Sequence, residues 1–196
     1  MSTDHALHKS PLGQAIVDLV VYLPPSDEQV QEHPRARAHH VSRTAARRTS
    51  MVAGSLSLPP GFLGWLTVVP ELISVWKIQA QMVADIAAIY GKQQSLGREQ
   101  MLYCLFKHVS AQLFRDIVVR VGAKVVIQQT TLKMIQSIAQ QLGIKLTHKI
   151  ISKSAARFVP FLGAVGVGAY AYFDTLQVAK NAVELFEGDI TIDAAS

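Results

Sequence analysis

Residues 59–91, PPGFLGWLTVVPELISVWKIQAQMVADIAAIYG, limit what this chain can fold into more than any other stretch. Prolines and glycines open it, and Tyr90 with Gly91 closes it. Between them the polar residues Thr67, Glu71, Ser74, Lys77, Gln81 and Asp85 recur every three or four positions. On a helix they share one arc of roughly 120°. The rest of the circumference is apolar: Trp65, Leu72, Val75, Trp76, Ile78, Val83, Ile86 and Ile89. A helix that is apolar nearly all round has to be covered, by other helices or by lipid. The spacing therefore predicts an all-α, compact multi-helix bundle around a buried central helix at about 65–90. Glu71, Lys77, Gln81 and Asp85 become a buried polar stripe in that bundle. Ionisable groups in an apolar setting need partners, so the stripe reads as a structural hydrogen-bond network. A ligand-facing strip or a catalytic site are the sharper readings of the same residues.

Composition supports a large apolar demand. Hydrophobic residues make up 49% of the 196 and charged residues only 17%, with a mean hydropathy of +0.24. Soluble domains carry about 25% charged residues, so apolar surface has to go into a large core, a partner or lipid. The formal charge of +5 is unevenly spread. Residues 1–34 hold one Lys and five acids, 35–48 hold five Arg and no acid, and 117–173 hold seven Lys or Arg and no acid. Blocks of one sign suit an anionic partner such as a phospholipid surface or a nucleic acid.

The chain divides into an N-terminal leader with a short helix (1–34), a single helical domain (35–187) and a C-terminal tail (188–196). Residues 1–11 read as disordered. Residues 12–23 form a short helix or strand ended by Pro24 and Pro25, and Ser26 caps a brief acidic helix at 27–32. Pro34 opens the next helix, about 35–57. On it Arg35, His39, Arg43 and Arg47 stand one turn apart. A solvated face is the plain reading of that row, and contact with phosphate or phospholipid the functional one. His39 and His40 point apart on a helix, so they do not make a metal pair.

Further helices are expected at 98–121, 123–142 and 144–158, with Gly122 and Gly143 at the breaks. No β-hairpin signal is read. Lys145, Lys149, Lys153 and Arg157 follow a strict i, i+4 spacing. Four like charges on one ridge repel, and a bound anion relieves that cost. The last helix, 160–187, carries Ala164, Gly168, Ala171 and Thr175 as a helix-packing seam of small residues, which lets two backbones approach closely.

The catalytic signatures HExxH, GxSxG and CxxC are absent, as are the nucleotide-binding patterns GxxxxGK[ST] and GxGxxG. The single Cys104 lies in the apolar LYCLF and reads as an inert buried thiol, which fits a reducing compartment. The uncharged runs 49–70 and 158–173 are interrupted by prolines and do not make simple spanning helices of about 20 residues.

Three stretches together resemble the EcsC family of bacterial proteins. They are Leu58-Pro59-Pro60-Gly61, the segment from Glu71 through Gln79 to Ile86-Ala87-Ala88-Ile89-Tyr90-Gly91, and Arg157-Phe158-Val159-Pro160-Phe161-Leu162-Gly163-Ala164-Val165-Gly166. The resemblance implies an all-helical protein with membrane-linked roles, and it brings no catalytic residues to carry over. Residues and resemblance together lead to one expectation: a bacterial, non-enzymatic helical module, without cofactor or metal, that binds lipid or associates peripherally with an anionic membrane surface. Arg35, Arg43, Arg47, Lys145, Lys149, Lys153 and Arg157 would meet headgroups, and the apolar 51–69 and 158–173 would meet acyl chains. The expected place is cytoplasmic, at the inner face of the membrane. The alternative is a soluble accessory protein that docks a partner of a membrane complex or a second copy of itself. A lipid-acting hydrolase and nucleic-acid binding are weaker readings, since no nucleophile constellation and no recognised binding motif accompany the charge.

Overall fold

The computed structural model describes residues 10–56, 64–121, 124–153 and 160–188, with side chains at 10–54, 70–119, 125–148 and 166–188. It is an all-α multi-helix bundle with one two-stranded sheet among the described residues. The elements are α1 (Pro11–Val21), α2 (Pro34–Leu56), α3 (Gly64–Ile89), α4 (Arg98–Phe106), β1 (Val118–Val121), β2 (Lys124–Ile127), α5 (Leu132–Lys153) and α6 (Pro160–Glu187).

The central helix is α3. Met82, Val83, Ala84, Ile86 and Ala87 are buried in the main core, and the Trp76 ring meets the Phe106 ring edge-on at 5.3 Å. Pro70 lies inside the helix and has no N–H for the carbonyl one turn back. The C-terminus is closed by chemistry legible in the sequence. Gly91 adopts φ 68°, Lys92 N–H donates to the Ala87 carbonyl at 2.7 Å, and Gly91 N–H donates to Ala88 at 2.9 Å. That paired pattern satisfies the last carbonyls and requires a left-handed residue, which glycine adopts without a Cβ clash.

Several expectations are corrected. Residues 27–32 are not helical. Ser26 hydroxyl donates to Asp85 Oδ1 at 2.7 Å and accepts from Glu28 N–H, and Gln31 N–H donates to the Ile89 carbonyl, so the segment lies extended along the end of α3. The helix expected at 98–121 stops at Phe106 and passes through a 3-10 turn at Ala111–Phe114 into β1. The helix expected at 123–142 is instead β2 followed by the start of α5. The missed signal is VVRV and KVVI, two β-branched runs separated by two residues that include Gly122. β-Branched side chains favour an extended backbone, and such a spacing makes a hairpin. Val118 pairs with Ile127 and Val121 with Lys124, antiparallel.

Gly143 does not break a helix; α5 runs through it. A Cβ at Gly143 would lie 2.5 Å from Gly13 N, and one at Gly13 would lie 2.9 Å from the Gln140 Cα. These two glycines are where α1 crosses α5. The leader therefore does not stand apart. Ser10 caps α1 by accepting from Gly13 N–H, and Leu12, Ile16 and Val20 enter the same core as α3 and α4. Of residues 12–23, read as helix or strand, 12–21 are helical. Of residues 1–11, read as disordered, Ser10 and Pro11 instead cap and open α1, and 1–9 lie outside the described residues, as do 57–63 and the tail beyond 188.

Candidate functional site

Helix α2 packs on α6 and on α3. Ala38, Ser42, Ala45, Ala46, Thr49 and Ala53 form its buried side. Their 3–4 spacing turns His39, His40, Arg43, Arg47 and Arg48 outward, and all five are exposed. Partners divide this basic face. Arg35 pairs with Glu187 of α6, and Arg37 makes a two-pronged contact with Glu28 at 2.6 and 2.9 Å. The Arg37 guanidinium holds the Glu28 carboxyl below the usual range. Among the described residues Arg43, Arg47 and Arg48 meet no carboxylate. Met51, one turn beyond Arg47, is 73% exposed.

Lys145 donates to Ser110 Oγ at 2.7 Å and is otherwise exposed. The backbone of α5 is continuous across Lys145, Lys149 and Lys153, so the three follow one ridge. The side chains of Lys149 and Lys153, and all of Arg157, lie outside the described residues.

The polar stripe of α3 is corrected in part. Glu71 is buried, but Lys77 is exposed and Gln81 and Asp85 are half-buried. Lys77, Gln81 and Asp85 line an open cleft between α2 and α3 of about 460 Å³. Glu28, Arg37, His40, Arg48, Lys77 and Asp85 line its rim, over a floor that includes Val41, Ala45, Ile78 and Met82. Gln81 amide donates to the Pro25 carbonyl at 2.8 Å and to Asp85 Oδ1 at 2.9 Å. The structure therefore brings Lys77, Gln81 and Asp85 together with the Arg side of α2, a juxtaposition the α3 periodicity alone did not show.

The buried network lies on another face of α3, through Gln79. Its amide donates to Asp174 Oδ2 at 2.9 Å and to Thr175 Oγ1 at 3.1 Å. His108 Nε2 is 2.9 Å from Asp174 Oδ1. The Thr49 and Thr175 hydroxyls are 2.8 Å apart, and Asn181 amide donates to the Cys104 carbonyl at 3.0 Å. Sequence reasoning missed this cluster because it joins residues from α2, α3, α6 and the turn after α4. Gln79, an amide between Ile78 and Ala80, and Thr175, a polar residue in the small-residue seam, carried the local signals. Burial pushes the Cys104 thiol well above its ordinary range, which keeps it protonated and unreactive.

The seam lies on the α2 side of α6. A Cβ at Gly168 would be 3.0 Å from the Ser50 carbonyl oxygen, and Ala171 and Thr175 are buried. The Ala164 side chain lies outside the described residues. On another face of α6, Gly166, Ala169, Tyr170 and Phe173 are exposed, the two aromatics by 52% and 68%.

Among the described residues no three His, Cys, Asp or Glu side chains group as metal ligands do. One described stretch, Pro70–Ile89, is long and apolar enough to cross a membrane, and 61% of that window is buried inside the bundle.

The fold and site define an all-α bundle with a free basic helix face and an open charged cleft. In comparison with known proteins, no family model, no curated protein and no solved structure matches the chain.

Proposed function

We propose that this protein is a non-enzymatic module that associates peripherally with anionic membranes or lipid, at the cytoplasmic side. The observation that carries the reading is the free basic face of α2. Arg43 and Arg47 stand one turn apart without a carboxylate, and exposed Met51 follows on the next turn. Cations beside an apolar side chain are the chemistry of an interfacial helix. The ridge of Lys145, Lys149 and Lys153, with Arg157, adds a second basic element in a stretch that holds no acid. Each cation near an anionic bilayer contributes about 1 kcal/mol, within a Debye length of the surface. Arg35 contributes as well, since an exposed ion pair such as that with Glu187 holds it only weakly. The resemblance to the EcsC family belongs to the same reading.

Co-sedimentation with vesicles tests it. Wild type should bind phosphatidylglycerol-containing vesicles and leave phosphatidylcholine vesicles nearly empty. Arg43→Glu with Arg47→Glu, and separately Lys149→Glu with Lys153→Glu, should weaken binding, and raised salt should mimic both. Equal binding to anionic and neutral vesicles sinks the reading.

One observation favours a second reading, docking of a partner protein or a second copy. Gly166, Ala169, Tyr170 and Phe173 form an exposed apolar face at i, i+3, i+4 and i+7 of α6. Loss of self-association in Phe173→Ser, with vesicle binding intact, would favour it.

A further inference from the structure

We propose that the cleft between α2 and α3 binds a phosphate group at its Arg48 and Lys77 end. It shares Arg48 with the outward basic face of α2 but does not use Arg43 or Arg47, and it stands whether or not vesicles bind. Two markers set the level of the helices. Ala53 of α2 packs in one small cluster with Val75 of α3, and Arg37 grips Glu28, whose N–H bonds the same Ser26 hydroxyl that donates to Asp85. The helices therefore run antiparallel, and Arg48 and Lys77 line the end of the cleft nearer Ala53 and Val75.

Charge in the cleft is separated. At the far end both acids are engaged: Glu28 by Arg37, and Asp85 by the Ser26 hydroxyl and the Gln81 amide. At the near end Arg48 and Lys77 meet no carboxylate among the described residues. Lys77 and Asp85 are eight residues apart, about 12 Å along α3, so the acids do not neutralise the near end by contact. Two cations that line one concavity attract a dianion more strongly than either does alone. A guanidinium and an ammonium are the groups that hold phosphate, the first as a fork and the second as a point charge. Val41, Ala45, Ile78 and Met82 give the floor an apolar character that suits a substituent on the phosphate. The ligand chemistry is thus a phosphate or phosphate monoester, free or as a lipid headgroup.

Isothermal titration of the full chain tests this with inorganic phosphate, glycerol 3-phosphate and monomeric dihexanoyl phosphatidic acid. Arg48→Gln and Lys77→Gln keep size and polarity at exposed positions. Each should raise the dissociation constant at least about tenfold, the loss of one charge-assisted contact. Lys133→Gln, on exposed α5 outside the cleft, should leave it unchanged. Tighter binding of the dihexanoyl lipid than of glycerol 3-phosphate identifies a headgroup, and equal binding identifies a soluble phosphate. Absence of saturable binding by all three probes overturns the proposal, as does an equal affinity in Arg48→Gln, Lys77→Gln and Lys133→Gln. Saturable, Arg48-dependent binding of phosphate without vesicle binding would leave this site standing and remove the membrane reading.

Discussion

The Thr49 hydroxyl of α2 and the Thr175 hydroxyl of α6 lie 2.8 Å apart, both fully buried. Each hydroxyl has one proton to give. Thr175 has the Ala171 carbonyl at 2.7 Å for its proton and an oxygen that accepts from Gln79, while the single Thr49 proton is shared between the Thr175 oxygen and the Ala46 carbonyl at 3.0 Å. One small polar residue of the seam thereby joins three helices. Thr49→Val should destabilise the fold by about 1–3 kcal/mol, because it strips a partner from a buried hydroxyl. In a double-mutant cycle, Thr49→Val with Thr175→Val should cost less than the sum of the single changes. Denaturant titration reads this, and strict additivity would show that the two hydroxyls do not interact.

Gly168 and Gly166 offer a contrast within one helix. Gly168→Leu drives a side chain into the Ser50 backbone and should cost about 1–3 kcal/mol or more through overpacking. A Cβ at Gly166 meets nothing within 4 Å. Gly166→Ala should therefore raise stability by roughly 0.5–1 kcal/mol through helix propensity alone. Equal melting temperatures for the two variants would refute close packing of α6 on α2.

Cys104 makes stability fall at alkaline pH. Its folded pKa is raised by burial above the ordinary 9.0, so above that pH the unfolded chain releases a proton that the folded chain keeps. Stability is then lost as pH rises past the unfolded value, with a slope of up to about 1.4 kcal/mol per pH unit from this group. Cys104→Ala should flatten that limb. A thiol reagent should label the native protein only at the rate of its opening; rapid labelling under native conditions would contradict the burial.

Glu28 acts at the acid end. Hydrogen bonding from Arg37 lowers its folded pKa, so its contribution is present above the ordinary glutamate value and is lost as pH falls through the lowered one. Glu28→Gln should remove part of the acid sensitivity and leave the alkaline limb untouched. The expected effect is small, as the pair is partly solvated. An unchanged acid midpoint would show the contact to be idle.

By itself the sequence determined the helical bundle, the extent of α2, α3 and α6, and the close approach along α6. Those features are local: polar residues at 3–4 spacing, Pro34 and Pro160 at helix starts, Gly91 at a helix end, and small residues on one face. It also determined which side of α2 carries Arg43 and Arg47, since that follows from helical periodicity. Tertiary structure decided what lay between elements. Gly143 stays helical because α1 crosses there and fills the space that a side chain would need. Val118–Val121 and Lys124–Ile127 become strands because each supplies the other's hydrogen bonds, with Ile117 and Ile127 buried in the core. The stripe at Lys77, Gln81 and Asp85 opens on a cleft rather than the core because α2 and α3 part there. Gln79 takes the buried place because α6 brings Asp174 and Thr175 to it, and periodicity on one helix says nothing of the partner its neighbour will supply.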